Sequence, residues 1–178
     1  MILHTSECFD KGPTAMRFST LSATIIPLFF AGCVSVSLAT KAEKRATGVK
    51  YNAPTNPFES ENRHDVDGAW KNPKTGNLIS YISDCQDEND PSLDSVLQTA
   101  MGGLTEMKTE KKESPTIEGR EGRRALVAGK VDGIASKIDM LAFKRDDCIY
   151  ILSYVGVAHA FDSDHAAFDK FIEGFRVP

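Results

Sequence analysis

The clearest apolar pattern in the chain lies between residues 91 and 104. Apolar side chains recur there at the spacing of one helix face, namely Leu93, Val96, Leu97, Ala100, Met101 and Leu104. Asp90-Pro91 precedes them, and this pair is typical of a helix start because the carboxylate can cap free N–H groups and proline fits the first helical position. The pattern predicts an amphipathic helix with one face on a core, ending near Gly102-Gly103.

Alternating apolar and polar positions before that helix predict a β-hairpin. Residues 78–82, Leu-Ile-Ser-Tyr-Ile, alternate between the two sides of an extended segment. Residues 72–76, Asn-Pro-Lys-Thr-Gly, precede it and are of types that favour tight turns. Since Trp70 comes before the turn, residues 70–82 are expected to form two antiparallel strands.

Three longer segments after the helix predict strands over residues 123–131, 134–144 and 148–157. Asp132-Gly133 separates the first two segments and is a strong signal for a two-residue hairpin turn. Residues 145–147, Arg-Asp-Asp, form a second tight connection. The third segment is apolar on both sides, which predicts a central strand covered on both faces.

A second helix is predicted to begin at Asp162 or Ser163 near the end of the chain. Its apolar side carries Phe168, Phe171, Ile172 and Phe175. An antiparallel β-sheet with helices packed on it gives each apolar stripe a surface to cover. The expected fold class is therefore α+β, in a single domain over residues 61–178.

The order of these elements resembles a known fold group. The shared features are Trp70 with its glycine turn, the Asp-Pro-Ser-Leu helix start at 90–93, the Gly-Lys-Val-Asp-Gly hairpin at 129–133, strand 150–154 and the closing phenylalanine helix. Together they are similar to the PsbP-like α/β/α sandwich group, which includes DcrB-type bacterial lipoproteins. The resemblance covers residues 70–177. It implies a noncatalytic role, because members are mostly photosystem accessory subunits, a Ran-binding import factor and exported proteins.

The N-terminal part of the chain indicates export. Residues 21–32 form an apolar run that is too short for a bilayer, which requires about 20 apolar residues. Arg17 before the run and Ala31-Gly32 at its end complete the pattern of a signal peptide. Met16 is the expected true start, so residues 1–32 comprise an N-terminal extension and a signal peptide.

Residues 30–33, Phe-Ala-Gly-Cys, resemble the lipobox of bacterial lipoproteins, in which the cysteine becomes the acylated N-terminus. The resemblance implies that Cys33 carries the lipid, palmitate included, and holds the protein in the bacterial cell envelope. Val34 follows where aspartate would mark inner-membrane retention, which resembles the outer-membrane sorting class, with the domain facing the periplasm or the cell surface. The alternative is an ordinary cleaved signal followed by a buried cysteine.

The segment after the lipobox is interpreted as a tether. Residues 34–48 lack aromatic side chains and any sustained apolar period, and prolines at 54 and 57 continue the irregular character. We therefore assign residues 33–60 to a lipidated N-terminus and a flexible tether.

Composition and charge exclude one class of partner. The chain is 41% hydrophobic and 26% charged, as in ordinary soluble domains, and its formal net charge is −4. Nucleic-acid binding needs clustered Lys and Arg to displace counterions, and the basic residues here are scattered. No nucleic-acid partner is expected.

Two cysteines of the exported part, Cys85 and Cys148, favour a disulfide, because exported cysteine pairs are usually oxidised. Two separate buried thiols are the main alternative. A metal site or a catalytic redox pair is less favoured, because the cysteines have no CxxC spacing.

The densest set of candidate metal ligands is His159, Asp162, Asp164 and His165. Asp162 and Ser163 have a simpler role as caps of the last helix, and Asp164 suits the dipole of its first turn. These four residues therefore remain weak metal candidates, and no cofactor is expected.

Two functional hypotheses follow. The first is a membrane-anchored, noncatalytic binding or accessory module with a protein partner, and the second is an envelope carrier or sensor for a small ligand or metal ion. An enzyme has the least support, because no recognised set of catalytic groups is visible. A concave apolar pocket with converging polar groups would favour the second hypothesis, and a flat exposed apolar patch the first.

Overall fold

The protein's structure, a computed structural model, describes residues 44–85 and 90–178. Within these ranges the chain forms an eight-stranded antiparallel sheet, two α-helices and one short 3-10 helix. The strands are β1 Glu59–Ser60, β2 Gly68–Lys71, β3 Leu78–Asp84, β4 Thr105–Glu113, β5 Thr116–Ile117, β6 Arg120–Val131, β7 Ile134–Arg145 and β8 Cys148–Val157. The helices are α1 Leu93–Ala100, the 3-10 helix Phe161–Ser163 and α2 His165–Gly174.

The strands lie in the order β1-β2-β3-β8-β7-β6-β4, and β5 pairs with β6. The prediction that residues 148–157 form a central strand is confirmed, since β8 lies between β3 and β7. The predicted hairpin at Asp132-Gly133 is also confirmed, with Val131 paired to Ile134. Asp132 and Gly133 have φ values of 50° and 80°, which are the left-handed angles that a two-residue hairpin turn requires.

The helices cover opposite faces of the sheet. α2 packs on one face of the sheet. We use the name aromatic face for this side of the sheet together with the large side chains of α2 that cover it: Trp70, Tyr81, Phe143, Tyr150, Tyr154, Phe168, Phe171 and Phe175. α1 packs on the other face, which we call the aliphatic face: Leu97, Leu104, Ala125, Val127, Ile138, Met140 and Ala142. Alternation along the strands places successive side chains on these two faces.

The start of α1 differs from the prediction. Asp90-Pro91 does not open the helix, which begins at Leu93 after an N-cap at Ser92, whose side chain accepts a hydrogen bond of 3.2 Å from the backbone N–H of Ser95. Asp90 has a left-handed backbone, and its carboxylate instead pairs with Lys144. Serine is as good a cap as aspartate, so the helix starts at the second of two suitable positions.

The start of α2 also differs. The predicted helix from Asp162 or Ser163 is divided into the 3-10 helix Phe161–Ser163 and α2, which begins at His165. Neither Asp162 nor Ser163 caps α2; Asp164 occupies the N-cap position and makes no side-chain capping bond. The carboxylate of Asp164 binds the turn between β2 and β3 instead.

Strand β4 was not predicted. All nine of its residues are exposed, so it carries no alternation of buried and exposed positions. It forms one edge of the sheet, and its pairing with β6 is interrupted by two irregularities, between Thr105 and Lys108 and between Thr109 and Lys111. Lysines and bulges are common on edge strands because they discourage pairing with other chains.

The domain begins earlier than the predicted boundary at residue 61. Lys50 forms an antiparallel bridge with Arg176, Ala46 and Val49 pack against the aromatic face, and Phe58 is buried. These apolar residues are few and irregularly spaced, which is why the segment resembled a tether. The proposed signal peptide, Cys33 and residues 34–43 lie outside the described residues, and no described helix is long and apolar enough to span a membrane.

Candidate functional site

A cavity of about 490 Å³ lies between α1 and the edge strand β4, over β6. We call it the α1–β4 groove. Its floor consists of Leu97 from α1 and of Ala125 and Val127 from β6, all of them buried. Ala125 and Val127 are two residues apart on one strand and therefore point to the same face of the sheet.

One end of the α1–β4 groove is apolar. Met101, at the end of α1, and Met107, on β4, line it beside Val127. Met107 is 52% exposed, which makes it one of the few large apolar side chains of the described residues that face solvent. Methionine side chains are flexible and polarisable, so this end can adapt to ligands of different shape.

The other end of the α1–β4 groove is charged. Arg123 pairs with Asp94 at 3.5 Å and with Glu121, and Lys112 lines the same end. The hydrogen bond that Arg123 donates to Glu121 raises the pKa of the Arg123 guanidinium above its ordinary value. From Arg123 to Val127 is four residues of β-strand, so the groove changes from charged to apolar over about 13 Å.

A group of ionisable side chains lies beside this end, on the aromatic face. This ion cluster consists of Arg124 on β6, Asp139 on β7, and His165 and Asp169 on α2. Arg124 donates to both oxygens of Asp139 at 2.7–3.2 Å and to Asp169 at 2.6 Å. His165 Nε2 lies 2.7 Å from the Asp139 carboxylate, and a cavity of about 240 Å³ borders the cluster.

The side chains of the ion cluster bind one another. Asp139 is 3% exposed and receives its hydrogen bonds from Arg124 and His165. Burial alone would lower the pKa of Arg124, but its hydrogen bonds to Asp139 and Asp169 outweigh that effect and raise the pKa. Because each of the four side chains has a partner within the cluster, we interpret it as a tie that fixes α2 to the sheet.

The four weak metal candidates are distributed over separate environments. His159 is exposed in the turn after β8, and Asp162 is exposed in the 3-10 helix. Asp164 binds the β2–β3 turn, whereas His165 belongs to the ion cluster. Among residues 44–85 and 90–178, no three or more His, Cys, Asp or Glu side chains are grouped so that they could hold a metal ion.

Asp164 is the centre of a polar network with the β2–β3 turn. One of its carboxylate oxygens accepts hydrogen bonds from Asn72 at 2.8 Å, Thr75 at 2.7 Å and Asn77 at 3.0 Å. Asn77 is fully buried and lies against Gly156 on β8, where an added Cβ would be 2.0 Å from the Asn77 Oδ1 atom. The glycine therefore makes room for the asparagine, and the network has a structural role.

The predicted disulfide between Cys85 and Cys148 is present. The register of β3 and β8 pairs Asp84 with Ile149, so the two cysteines occupy the next opposing positions. The bond joins residues 63 apart in sequence, and closure of a loop of that length stabilises the fold by about 4 kcal/mol on the chain-entropy model.

Two features of the site were missed at the level of sequence. The α1–β4 groove depends on β4, whose polar sequence gave no strand signal. The Arg124–Asp139 pair had a usable signal, because the register set by Asp132-Gly133 brings Leu126 opposite Asp139. Arg124, two residues from Leu126, is then a diagonal neighbour of Asp139 on the same face, within reach of a long side chain.

Comparison with solved structures identifies the fold. LpqN of Mycobacterium tuberculosis, a protein involved in cell envelope biogenesis, is 11% identical, with 79% of this chain and 88% of that chain covered and a TM-score of 0.56. The cyanobacterial PsbP (CyanoP) of Synechocystis sp. PCC 6803 is 13% identical over 81% of this chain and 98% of that chain, with a TM-score of 0.52. No protein-family model matches the sequence, and the search of curated proteins found no match. The fold is thus PsbP-like, as the order of elements implied.

Proposed function

We propose that the protein is a noncatalytic binding module of the cell envelope and that its ligand, a small molecule with an apolar part, lies in the α1–β4 groove. The observation that carries this proposal is the groove itself, which is concave, has an apolar floor and brings polar groups together at one end. Its volume of about 490 Å³ falls within the range of known small-molecule sites.

A binding role without turnover is supported by how the charged groups near the groove are used. Arg123 is engaged by Asp94 and Glu121, and Arg124 by Asp139 and Asp169. Catalysis requires a base, nucleophile or electrophile placed to act on the substrate, and paired groups of this kind serve structure first.

Two observations support a location in the cell envelope, one from the sequence and one from a solved structure of the same fold. The lipobox resemblance at residues 30–33 implies an acylated Cys33, and LpqN, a protein of the same fold, is involved in cell envelope biogenesis. We propose that the lipid holds the domain near the membrane, where it meets ligands or partners at high local concentration.

A second candidate function is recognition of a protein partner, and the exposure of β4 favours it. An edge strand with all nine residues exposed offers free backbone groups, and Met107 adds an apolar contact. The two irregularities in β4 and its three lysines act against regular pairing with another strand, so we rank this function second.

Obstruction of the groove tests the first proposal. Thr109 is an exposed residue of β4 that lines the groove, so Thr109→Trp is expected to fill the groove without disturbing the core. Lys108→Trp is the matched control, since Lys108 is exposed on the same strand but does not line the groove. The whole chain carrying Cys33→Ala, which prevents acylation, is titrated with N-phenyl-1-naphthylamine, a neutral fluorophore that brightens in apolar sites.

The expected result is saturable binding at one site, lost in Thr109→Trp and retained in Lys108→Trp. Absence of saturable binding, or equal binding by both variants, would contradict a ligand site in the α1–β4 groove. The circular dichroism spectra of both variants should match that of the parent chain, so that a loss of binding cannot be attributed to unfolding.

A further inference from the structure

The α1–β4 groove is charged at one end and apolar at the other, so its polarity changes along its length. The register of β4 with β6 pairs Lys112 with Ala125 and Thr109 with Val127, so the two β4 residues line the groove in that order. Lys112 therefore lies toward the Arg123 end, and Thr109 toward the methionine end. A bound molecule that follows the groove has one end beside charged side chains and the other among apolar side chains.

One cation at the polar end has no ion-pair partner among the described residues. Arg123 and Arg124 are engaged by carboxylates, and Glu113, the second acid of the lining besides Asp94, is paired with Lys111 at 2.8 Å. The side chain of Lys112 makes no ion pair or hydrogen bond with any residue in the described ranges. The groove thus has one uncompensated cation, on a flexible side chain that can reach along the wall.

From this arrangement we infer that the ligand is an amphipathic anion, with one carboxylate or phosphate head at Lys112 and an unbranched apolar tail on Leu97, Ala125 and Val127. This inference rests on the proposed function and specifies its ligand. A cationic head would meet Lys112 as a like charge while the acids that line this end, Asp94 and Glu113, are already paired, and a neutral head would leave Lys112 without a partner. With the head at the Arg123 end, toward which the long Lys112 side chain can extend, about 13 Å remain to Val127, which suits a tail of medium length.

The test compares four amphiphiles with the same ten-carbon tail: decanoate, decyl phosphate, decanol and decyltrimethylammonium. Each is titrated below its micelle concentration into the whole chain carrying Cys33→Ala, with calorimetry as the readout. Both anions are expected to bind about tenfold more tightly than decanol, and the cation more weakly than decanol. Preference for decanoate would indicate a free fatty acid as the natural ligand, and preference for decyl phosphate a phosphorylated lipid.

Lys112→Gln is expected to weaken the binding of both anions about fivefold and to leave the affinity for decanol as it was, because the lost contact is an ion pair at an exposed side chain. Lys108→Gln is the matched control, since it removes an equal charge from the same strand outside the groove. Raising the salt concentration should weaken anion binding and leave decanol binding nearly constant.

The outcomes separate this inference from the proposed function. Equal binding of decanoate and decanol, or an equal effect of Lys112→Gln and Lys108→Gln, would overturn the anionic ligand while a small-molecule site remained. Binding of none of the four amphiphiles would overturn both. If an acidic, apolar peptide bound in their place, the protein-partner function would take precedence.

Discussion

The two faces of the sheet are built from different kinds of side chain and are closed to different degrees. On the aromatic face, Phe143, Phe168, Phe171 and Phe175 are each no more than 1% exposed. On the aliphatic face, α1 contributes a single buried residue, Leu97. The other residues of this helix are half-buried or exposed. A short helix of eight residues covers that face incompletely, and the α1–β4 groove is the part it leaves open.

The difference indicates that the two faces of the sheet have different roles. The aromatic face has α2, the residues from Lys50 to Phe58 and the ion cluster to hold it closed, so we expect it to supply most of the stability. The aliphatic face retains a cavity beside an exposed edge strand, which a protein selected only for stability would fill. Substitutions on the two faces should therefore affect different measurements.

The largest effect is expected from Phe171→Ala on the aromatic face. Phe171 is 1% exposed and contacts the rings of Trp70, Tyr81 and Phe175. Its loss leaves a large cavity in a well-packed region, so the free energy of unfolding should fall by about 4 kcal/mol, as measured by urea denaturation. A decrease below about 1 kcal/mol would show that this face is not the main source of stability.

Asp139→Asn should have the next largest effect. The substitution removes the buried carboxylate that faces Arg124 and His165, while Asp169 remains to pair with Arg124. The expected loss is about 2–3 kcal/mol, less than for a fully buried pair with no remaining partner. Asp169→Asn, at the half-exposed partner, is the control and should cost about 1 kcal/mol or less. Equal losses in both variants would contradict the greater contribution that we assign to the buried carboxylate of Asp139.

On the aliphatic face, Leu97→Ala is expected to cost about 2 kcal/mol, near the lower limit for a buried leucine. The neighbouring Met101 is only half-buried and can move into the space, which reduces the penalty for a cavity. Thermal and urea denaturation measure this value. A loss as large as that of Phe171→Ala would remove the distinction between the two faces.

The smallest effect on stability, and the most specific effect on binding, is expected from Met107→Ala. Since Met107 is 52% exposed, its truncation should change the free energy of unfolding by less than about 0.5 kcal/mol. The same change removes part of the apolar end of the α1–β4 groove, so the affinity for N-phenyl-1-naphthylamine should fall several-fold. Unchanged affinity would place the ligand elsewhere.

The elements with strong periodicity were predictable from the sequence, and the elements that depend on tertiary pairing were not. Residues 93–97 and 148–157 have patterns that report burial directly, so α1 and the central strand were found. β4 is stabilised by its backbone pairing with β6 and has no buried face, so its side chains carry no such pattern. The α1–β4 groove lies between α1, which the sequence predicts, and β4, which it does not. The sequence therefore indicated only one of its two walls.

The ends of the helices were displaced for a related reason. Asp90, Ser92, Asp162 and Asp164 are all suitable caps, and local chemistry does not choose among them. Tertiary contacts determine which residue caps each helix. Asp90 forms an ion pair with Lys144, and Asp164 accepts hydrogen bonds from the β2–β3 turn. The disulfide could be predicted because it needed only the count of cysteines after the predicted signal peptide.

The close contact between Gly156 and Asn77 bears on how distant relatives of this chain can be recognised. Any side chain at position 156 would occupy the space of the Asn77 carboxamide, and a shorter residue at 77 would leave Asp164 with one donor fewer. Positions 77 and 156 are therefore expected to change together, even between sequences that share little else. Such a paired substitution, 79 residues apart, would indicate that another sequence makes the same contact between β8 and the β2–β3 turn, even where its overall identity is low.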